Sequence, residues 1–160
     1  MKRKLQVNHS KTLKLINVLE KELEKCDIEN YENEVIKMEN YIRTKGSVSI
    51  GPLIQYVNGS VNEKGKIEAK ISILRQSKNF INTVEPPYKL KSVLRVVNCL
   101  YVRFIGEESK IKFAYDKINL TAFEEDIPLK GNSYTIFVDQ QDDQIIADIF
   151  MERADNDETN

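Results

Sequence analysis

The chain matches itself, and a duplicated sequence restricts the fold to two like units. Leu15-Ile16-Asn17-Val18-Leu19 recurs as Val96-Val97-Asn98-Cys99-Leu100, 81 positions on. Tyr31, Val35, Met38 and Ile42 recur as Ile111, Tyr115, Ile118 and Ala122 at an offset of 80. Gln55-Tyr56-Val57-Asn58 matches Ile136-Phe137-Val138-Asp139 at 81, and Ile67-Glu68-Ala69-Lys70-Ile71 matches Ile145-Ile146-Ala147-Asp148-Ile149 at 78. Four matches in one order read as a tandem duplication, the shorter last offset reflecting a longer hairpin loop in the first copy.

Periodicity assigns elements to each copy. Residues 12–24 and 92–105 read as strands, with β-branched and aromatic residues in the second. Residues 29–45 and 108–122 place apolar side chains at spacings of three and four, one face of a helix. Segments 52–58 and 133–139 are second strands, and 65–74 and 144–152 are third strands whose apolar positions alternate. The expected fold is α+β: two tandem β-α-β-β repeats, 12–74 and 92–152, joined by a linker at 75–91. They are expected to form one antiparallel-rich sheet with both helices on one face and a cleft between the copies, because a lone three-stranded copy exposes a sheet edge. Residues 1–11 and 153–160 read as flexible tails.

Charge narrows the partners. The 24 basic and 25 acidic residues leave a net charge of -1, which does not supply the positive field that duplex DNA demands. Residues 1–80 carry 15 basic and 10 acidic side chains, and residues 81–160 carry 9 and 15. That asymmetry suits docking of the halves, association of copies, or nothing beyond solvated faces. Two cysteines 73 positions apart make neither a disulfide framework nor a zinc knuckle. No apolar run is long enough to span a membrane, and no h-region follows the basic start, so a cytoplasmic location is expected.

Catalytic and cofactor chemistry finds few candidates. His9, the single histidine, falls in the expected N-terminal tail. Cys99 reads as a small core residue and Cys26 lacks the basic neighbours of an activated thiolate. The acidic clusters Glu107-Glu108, Glu124-Glu125-Asp126 and Asp142-Asp143 read as solvated, whereas acid–base work needs one carboxyl buried with a raised pKa. Neither a phosphate-binding loop nor a dinucleotide fingerprint is present. The expectation is a protein that is not an enzyme and uses no cofactor and no metal. The residues singled out for ligand binding are Tyr56, Tyr101, Tyr134, Thr135 and Phe137, since aromatic rings offer apolar area and tyrosine a hydroxyl. Asn17 and Asn98, polar residues at matched strand positions, are expected to bond across the sheet, mark a bulge or line the cleft.

Two strand–helix–strand–strand units, with a helix running into Gly51-Pro52-Leu53-Ile54-Gln55-Tyr56, resemble the GyrI-like effector-binding superfamily over residues 12–152. More narrowly, the Ile16-Asn17-Val18 strand followed by the Gly-Pro…Tyr element is similar to small Firmicute members, some of which belong with type VII secretion clusters. The resemblance implies a cleft between the repeats that takes small, often aromatic or cationic molecules. In multidrug-sensing regulators such a domain follows a helix-turn-helix segment, for which residues 1–11 are too short, so a stand-alone domain is implied. The family's pocket glutamate, two positions before the second-strand aromatic of the second repeat, is Thr135 here, and tryptophan is absent. Losing that carboxylate removes the group that would offset the desolvation of a bound cation. The favoured expectation is thus a non-enzymatic module for a small apolar or aromatic molecule or a peptide segment. The runner-up is an adaptor or chaperone-like accessory for a toxin or type VII secretion substrate, and a small-molecule hydrolase ranks third. A homodimer is compatible with each.

Overall fold

The structure, a computed structural model, describes residues 5–61 and 63–155. In chain order the elements are β1 (Asn8–Leu23), α1 (Lys25–Glu29), α2 (Tyr31–Thr44), β2 (Ser49–Val61) and β3 (Ile67–Ser77). They are followed by β4 (Tyr88–Glu107), a 3-10 turn (Glu108–Lys110), α3 (Lys112–Glu124), β5 (Asn132–Gln141) and β6 (Gln144–Glu152). The protein is α+β and its strand pairs within each unit are antiparallel. The chain divides into two compact units, residues 14–94 in one and the described residues up to 13 together with those from 95 in the other.

Several boundaries differ from the sequence reading. β1 begins at Asn8, so the last part of the expected tail is strand. β4 begins at Tyr88 and β3 ends at Ser77, which shortens the linker expected over 75–91. Asn8 to Lys11 and Arg75 to Ser77 are polar and lack the apolar alternation that marks a strand, whereas Tyr88-Lys89-Leu90-Lys91 carries it directly after Pro86-Pro87. The helix expected over 29–45 is α2, and a further short helix, α1, precedes it, the two separated at Asn30, whose φ of -115° and ψ of 36° lie outside helical geometry. Leu129 and Arg153 form an isolated antiparallel bridge, while residues 1–4 and 156–160, the ends of the expected tails, lie outside the described residues. Residues 62–66 separate β2 from β3, whereas Asp142 and Asp143 alone separate β5 from β6.

In the 14–94 unit, β3 pairs with both β1 and β2. Leu19 and Leu23 of β1, Ile73 of β3 and Met38 and Ile42 of α2 form its buried core. In the other unit β6 pairs with both β4 and β5. There Leu100, Val102 and Phe104 pack with Ala147, Ile149 and Met151 against Ala114, Ile118 and Ala122 of α3. Burying a side chain such as Ile118 fully contributes about 1.5–3 kcal/mol, which holds each helix on its sheet.

Asn17 and Asn98 both have positive φ, 49° and 53°. Asparagine tolerates this left-handed conformation better than other side-chain-bearing residues. The pairing of β1 with β3 starts at Val18, and that of β4 with β6 at Cys99, in each case the next residue. Of the roles open to the two asparagines, the backbone one is therefore the observed one, with Ser10 Oγ also donating to Asn98 Oδ1 at 2.8 Å.

Register also revises the matching of positions. Lys21 pairs with Ile73 and Ile73 with Gln55; Val102 pairs with Ile149 and Ile149 with Thr135. Counted this way, Tyr56 corresponds to Ile136, and Phe137 to Val57. The second-strand match was one residue out, and a one-residue slip sends a side chain to the other face; the third-strand match was two out, since Ile73 rather than Ile71 stands with Ile149. The same counting sets Lys21 against Val102, and the helix offset sets Glu34 against Ala114. One unit thus holds a buried Lys21–Glu34 ion pair where the other holds an apolar contact, with Asp27 Oδ2 also 3.7 Å from the Lys21 ammonium. Burial opposes the ammonium's charge, but the hydrogen bond and attraction of Glu34 together with the field of Asp27 hold its pKa above the ordinary lysine range.

Breaking a buried pair strands a charge, whereas replacing both members with apolar groups is often neutral. Glu34→Ala alone should therefore destabilise the protein by about 3 kcal/mol, while Lys21→Val with Glu34→Ala, the other unit's solution, should restore most of that loss. Urea unfolding of the three proteins checks it.

Candidate functional site

The chemically richest face lies on the β4–β6–β5 sheet. Tyr101, Phe150 and Tyr134 stand side by side across the three strands, and Arg103, Asp148 and Ile136 form the next row on that face. The row between them, Val102, Ile149 and Thr135, points to the opposite face, as alternation requires. Val102 and Ile149 are part of the α3 core, and the hydroxyls of Thr135 and the helix residue Tyr115 are hydrogen-bonded.

Asp148 is the hub of the exposed chemistry. Tyr101 donates its hydroxyl to Oδ1 at 2.7 Å, and Arg103 grips the carboxylate in bidentate fashion, Nε to Oδ1 at 2.8 Å and Nη2 to Oδ2 at 2.9 Å. Burial works against the charge on Asp148, but the bonds from Arg103 and Tyr101 outweigh it and hold the carboxyl below its ordinary range. Burial and the bond to Asp148 push the Tyr101 phenol up to about 12, so it stays neutral. Lys11 places its ammonium 5.3 Å from the centre of the Tyr101 ring, a cation–π distance. Tyr101 also packs on Phe150, with ring centres 4.9 Å apart.

Beside this cluster opens a pocket of about 400 Å³ lined by Tyr101, Arg103 and Ile105 of β4 and by Leu5, Gln6, Val7 and Asn8. The alternation 101, 103, 105 explains why three residues of one strand reach one pocket. Leu5 and Val7 are half-buried and pack against the α3 core, which fixes the opposite wall. The volume falls within the range of small-molecule sites. A flat ring, the Ile105 side chain and a guanidinium that spends two of its five N–H donors on Asp148 give a surface for an apolar body with a hydrogen-bond-accepting group.

Of the five residues expected to bind ligand, Tyr101 lines this pocket. Tyr134 is buried one strand over on the same face, while Thr135 is buried toward α3 and Phe137, half-buried, pairs with Ala147 on that helix-side row. Neighbours on a strand point opposite ways, so Tyr134 and Thr135 do not share a surface. Tyr56 belongs to the other unit, half-buried on β2 opposite Ser72. Arg103, Asp148 and residues 5–8 were missed. The alternation Tyr101-x-Arg103-x-Ile105 and the apolar-polar spelling of Leu5 to Asn8 were the available signals, the latter hidden by its basic neighbours.

His9 Nε2 sits 2.9 Å from Glu125 Oε2 at the surface. Cys99 is fully buried and burial pushes its thiol up to about 11, which disfavours the thiolate. Cys26 is exposed on α1. Among the described residues no group of three His, Cys, Asp or Glu side chains is arranged to hold a metal ion. No helix of the described residues is long and apolar enough to cross a membrane.

No protein-family model matches the sequence, and no curated protein does. Among solved structures the fold matches a chain of the EcmrR–DNA complex in EcmrR-RPo with a TM-score of 0.70 at 13% identity, over 93% of this chain and 57% of that one. The chain thus spans little more than half the length of that protein. It is also similar to SAV2435 bound to tetraphenylphosphonium (TM-score 0.48, 10% identity, 97% and 95% of the two chains). A Staphylococcus aureus MU50 protein gives 0.46 at 12% identity, over 96% and 98%. The first of these establishes a shared fold.

Because the Asp148 pKa is lowered, its contribution to stability is present above the ordinary carboxylate range and lost as pH falls through the folded value below 3.8. Asp148→Asn should cost about 1–3 kcal/mol at neutral pH, and the gap to the parent should narrow as pH falls below about 4, where Asp148 of the unfolded chain takes up its proton while the folded carboxylate still resists it. Melting temperature across that range is the check.

Proposed function

We propose that this protein is a non-enzymatic ligand-binding module of GyrI-like type whose site is the Tyr101 pocket. The ligand class is a small neutral or anionic molecule with an apolar or aromatic body. The observation that carries the reading is the pocket itself, where Tyr101 and Ile105 flank an Arg103 guanidinium already anchored by Asp148 and residues 5–8 form the facing wall. An arginine held in place by a carboxylate has lost its freedom before the ligand arrives, which lowers the entropy cost of using its remaining donors. Lys11 and Arg103 outnumber Asp148 on this face, so the local charge disfavours a lipophilic cation. The position where the superfamily would carry a pocket glutamate is Thr135, which points toward α3. The fold shared with EcmrR, a protein solved on DNA, supports an effector-type role.

A thermal-shift panel tests the proposal with indole as neutral aromatic, naphthoate as aromatic anion and tetraphenylphosphonium as lipophilic cation. A ligand at a hundredfold excess over Kd stabilises by about 2.7 kcal/mol. Naphthoate or indole should raise the melting temperature in proportion to concentration, and Tyr101→Ala or Arg103→Ala should abolish the rise. Stabilisation by the cation alone, or an unchanged response in both variants, would refute the assignment. A protein that ignores all three and co-purifies with one polypeptide would favour the adaptor reading instead.

A further inference from the structure

On the reading that the Tyr101 pocket is the binding site, we propose that its ligand is elongated and zwitterionic. The acidic end meets Arg103, an apolar body crosses Ile105, and an amine reaches Asp139. A second cavity, of about 200 Å³, opens on the same sheet, and Ile105, Ile146, Asp139, Gln141 and Gln144 are among the residues that line it. Ile105 lines the first cavity too, so the two adjoin across one side chain. Register places them on one face: Ile105, Ile146 and Asp139 form the row after Arg103, Asp148 and Ile136, with Glu107, Gln144 and Gln141 in the row beyond.

Asp139 reaches this face through an irregularity in β5. Phe137 pairs with Ala147 and Asp139 with Ile146, so Val138 is an extra residue against β6. Strict alternation would turn Asp139 the way of Thr135 and Phe137, toward α3, and the bulge returns it to the pocket side. Its Oδ1 accepts the backbone N–H of Gln140 at 2.8 Å. The ion pairs of this unit's described residues include the neighbouring Glu107, held by Lys110, but not Asp139. Gln141 and Gln144, both exposed beside it, offer amide donors and acceptors.

Arg103 and Asp139 are two strands and two residues apart, about 12 Å between Cα atoms at ordinary sheet spacings. Exposed Ile105 and half-buried Ile146 lie between them. A guanidinium at one end and a carboxylate at the other favour a molecule that carries both charges. A simple anion leaves Asp139 unused, and a simple cation meets Arg103 and Lys11. The chemical class is an acid and an amine held apart by an apolar body.

Isothermal titration calorimetry on the full chain tests this with naphthoate and with an aminomethyl-naphthoate whose ammonium stands at the far end of the ring system from the carboxylate. Asp139 is exposed, so the amine should lower Kd about fivefold, the upper end for a surface ion pair. Asp139→Asn should remove that advantage, while Asp142→Asn, which changes a neighbouring acid of the hairpin, should keep it. Asparagine still accepts the Gln140 N–H and suits the positive φ of Asp142, so circular dichroism should match the parent's in both variants. Equal affinity for the two compounds overturns the zwitterion assignment and leaves the Tyr101 site standing. Failure of both to bind removes the site and the assignment together. An advantage that survives Asp139→Asn, or that Asp142→Asn removes as fully, belongs to the diffuse charge of the hairpin and also overturns the proposal.

Discussion

Asn17 and Asn98 turn the backbone into the left-handed region in the middle of long strands, and each sheet's pairing is counted from the residue that follows. That placement decides which side chains look toward the helices and which look away. From Cys99 onward, even-numbered residues of β4 pack on α3, whereas Tyr101, Arg103 and Ile105 are left for the pocket. Shifting the turn by one residue would exchange the two sets, burying Arg103 and exposing Val102. The chemistry of the site therefore depends on a backbone conformation that few side chains accept.

Much of this was legible in the sequence. Strand–helix–strand–strand order follows from hydrophobic period, and the matched asparagines follow from the internal similarity. Register was not legible, because Gln55-Tyr56-Val57 and Ile136-Phe137-Val138 are alike whether or not they are slid by one. Only paired strands fix that choice, and pairing partners lie far away in sequence. The same gap hid the site. Tyr101 was recognisable as an aromatic on a strand, but Asp148 is 47 positions from it and becomes its partner only through the β4–β6 register. Leu5 to Asn8 look like a polar start until the α3 core supplies a place for Leu5 and Val7.

The two units solve one packing problem in different ways. Where one places Val102 against Ala114, the other places Lys21 against Glu34, and both bury the result. Apolar packing tolerates small displacements, whereas a desolvated ion pair tolerates few, since each charge depends on its partner's position. One unit has a pocket that Tyr101, Arg103 and Ile105 line, beside Asp148. The other holds its charge inside.

The most direct test of the Tyr101 site is a two-dimensional NMR titration of isotopically labelled protein with naphthoate. The account predicts saturable shifts concentrated at Val7, Tyr101, Arg103 and Ile105, with β2 around Tyr56 unmoved. Shifts centred on Tyr56, or none at concentrations that saturate ordinary small-molecule sites, would contradict it.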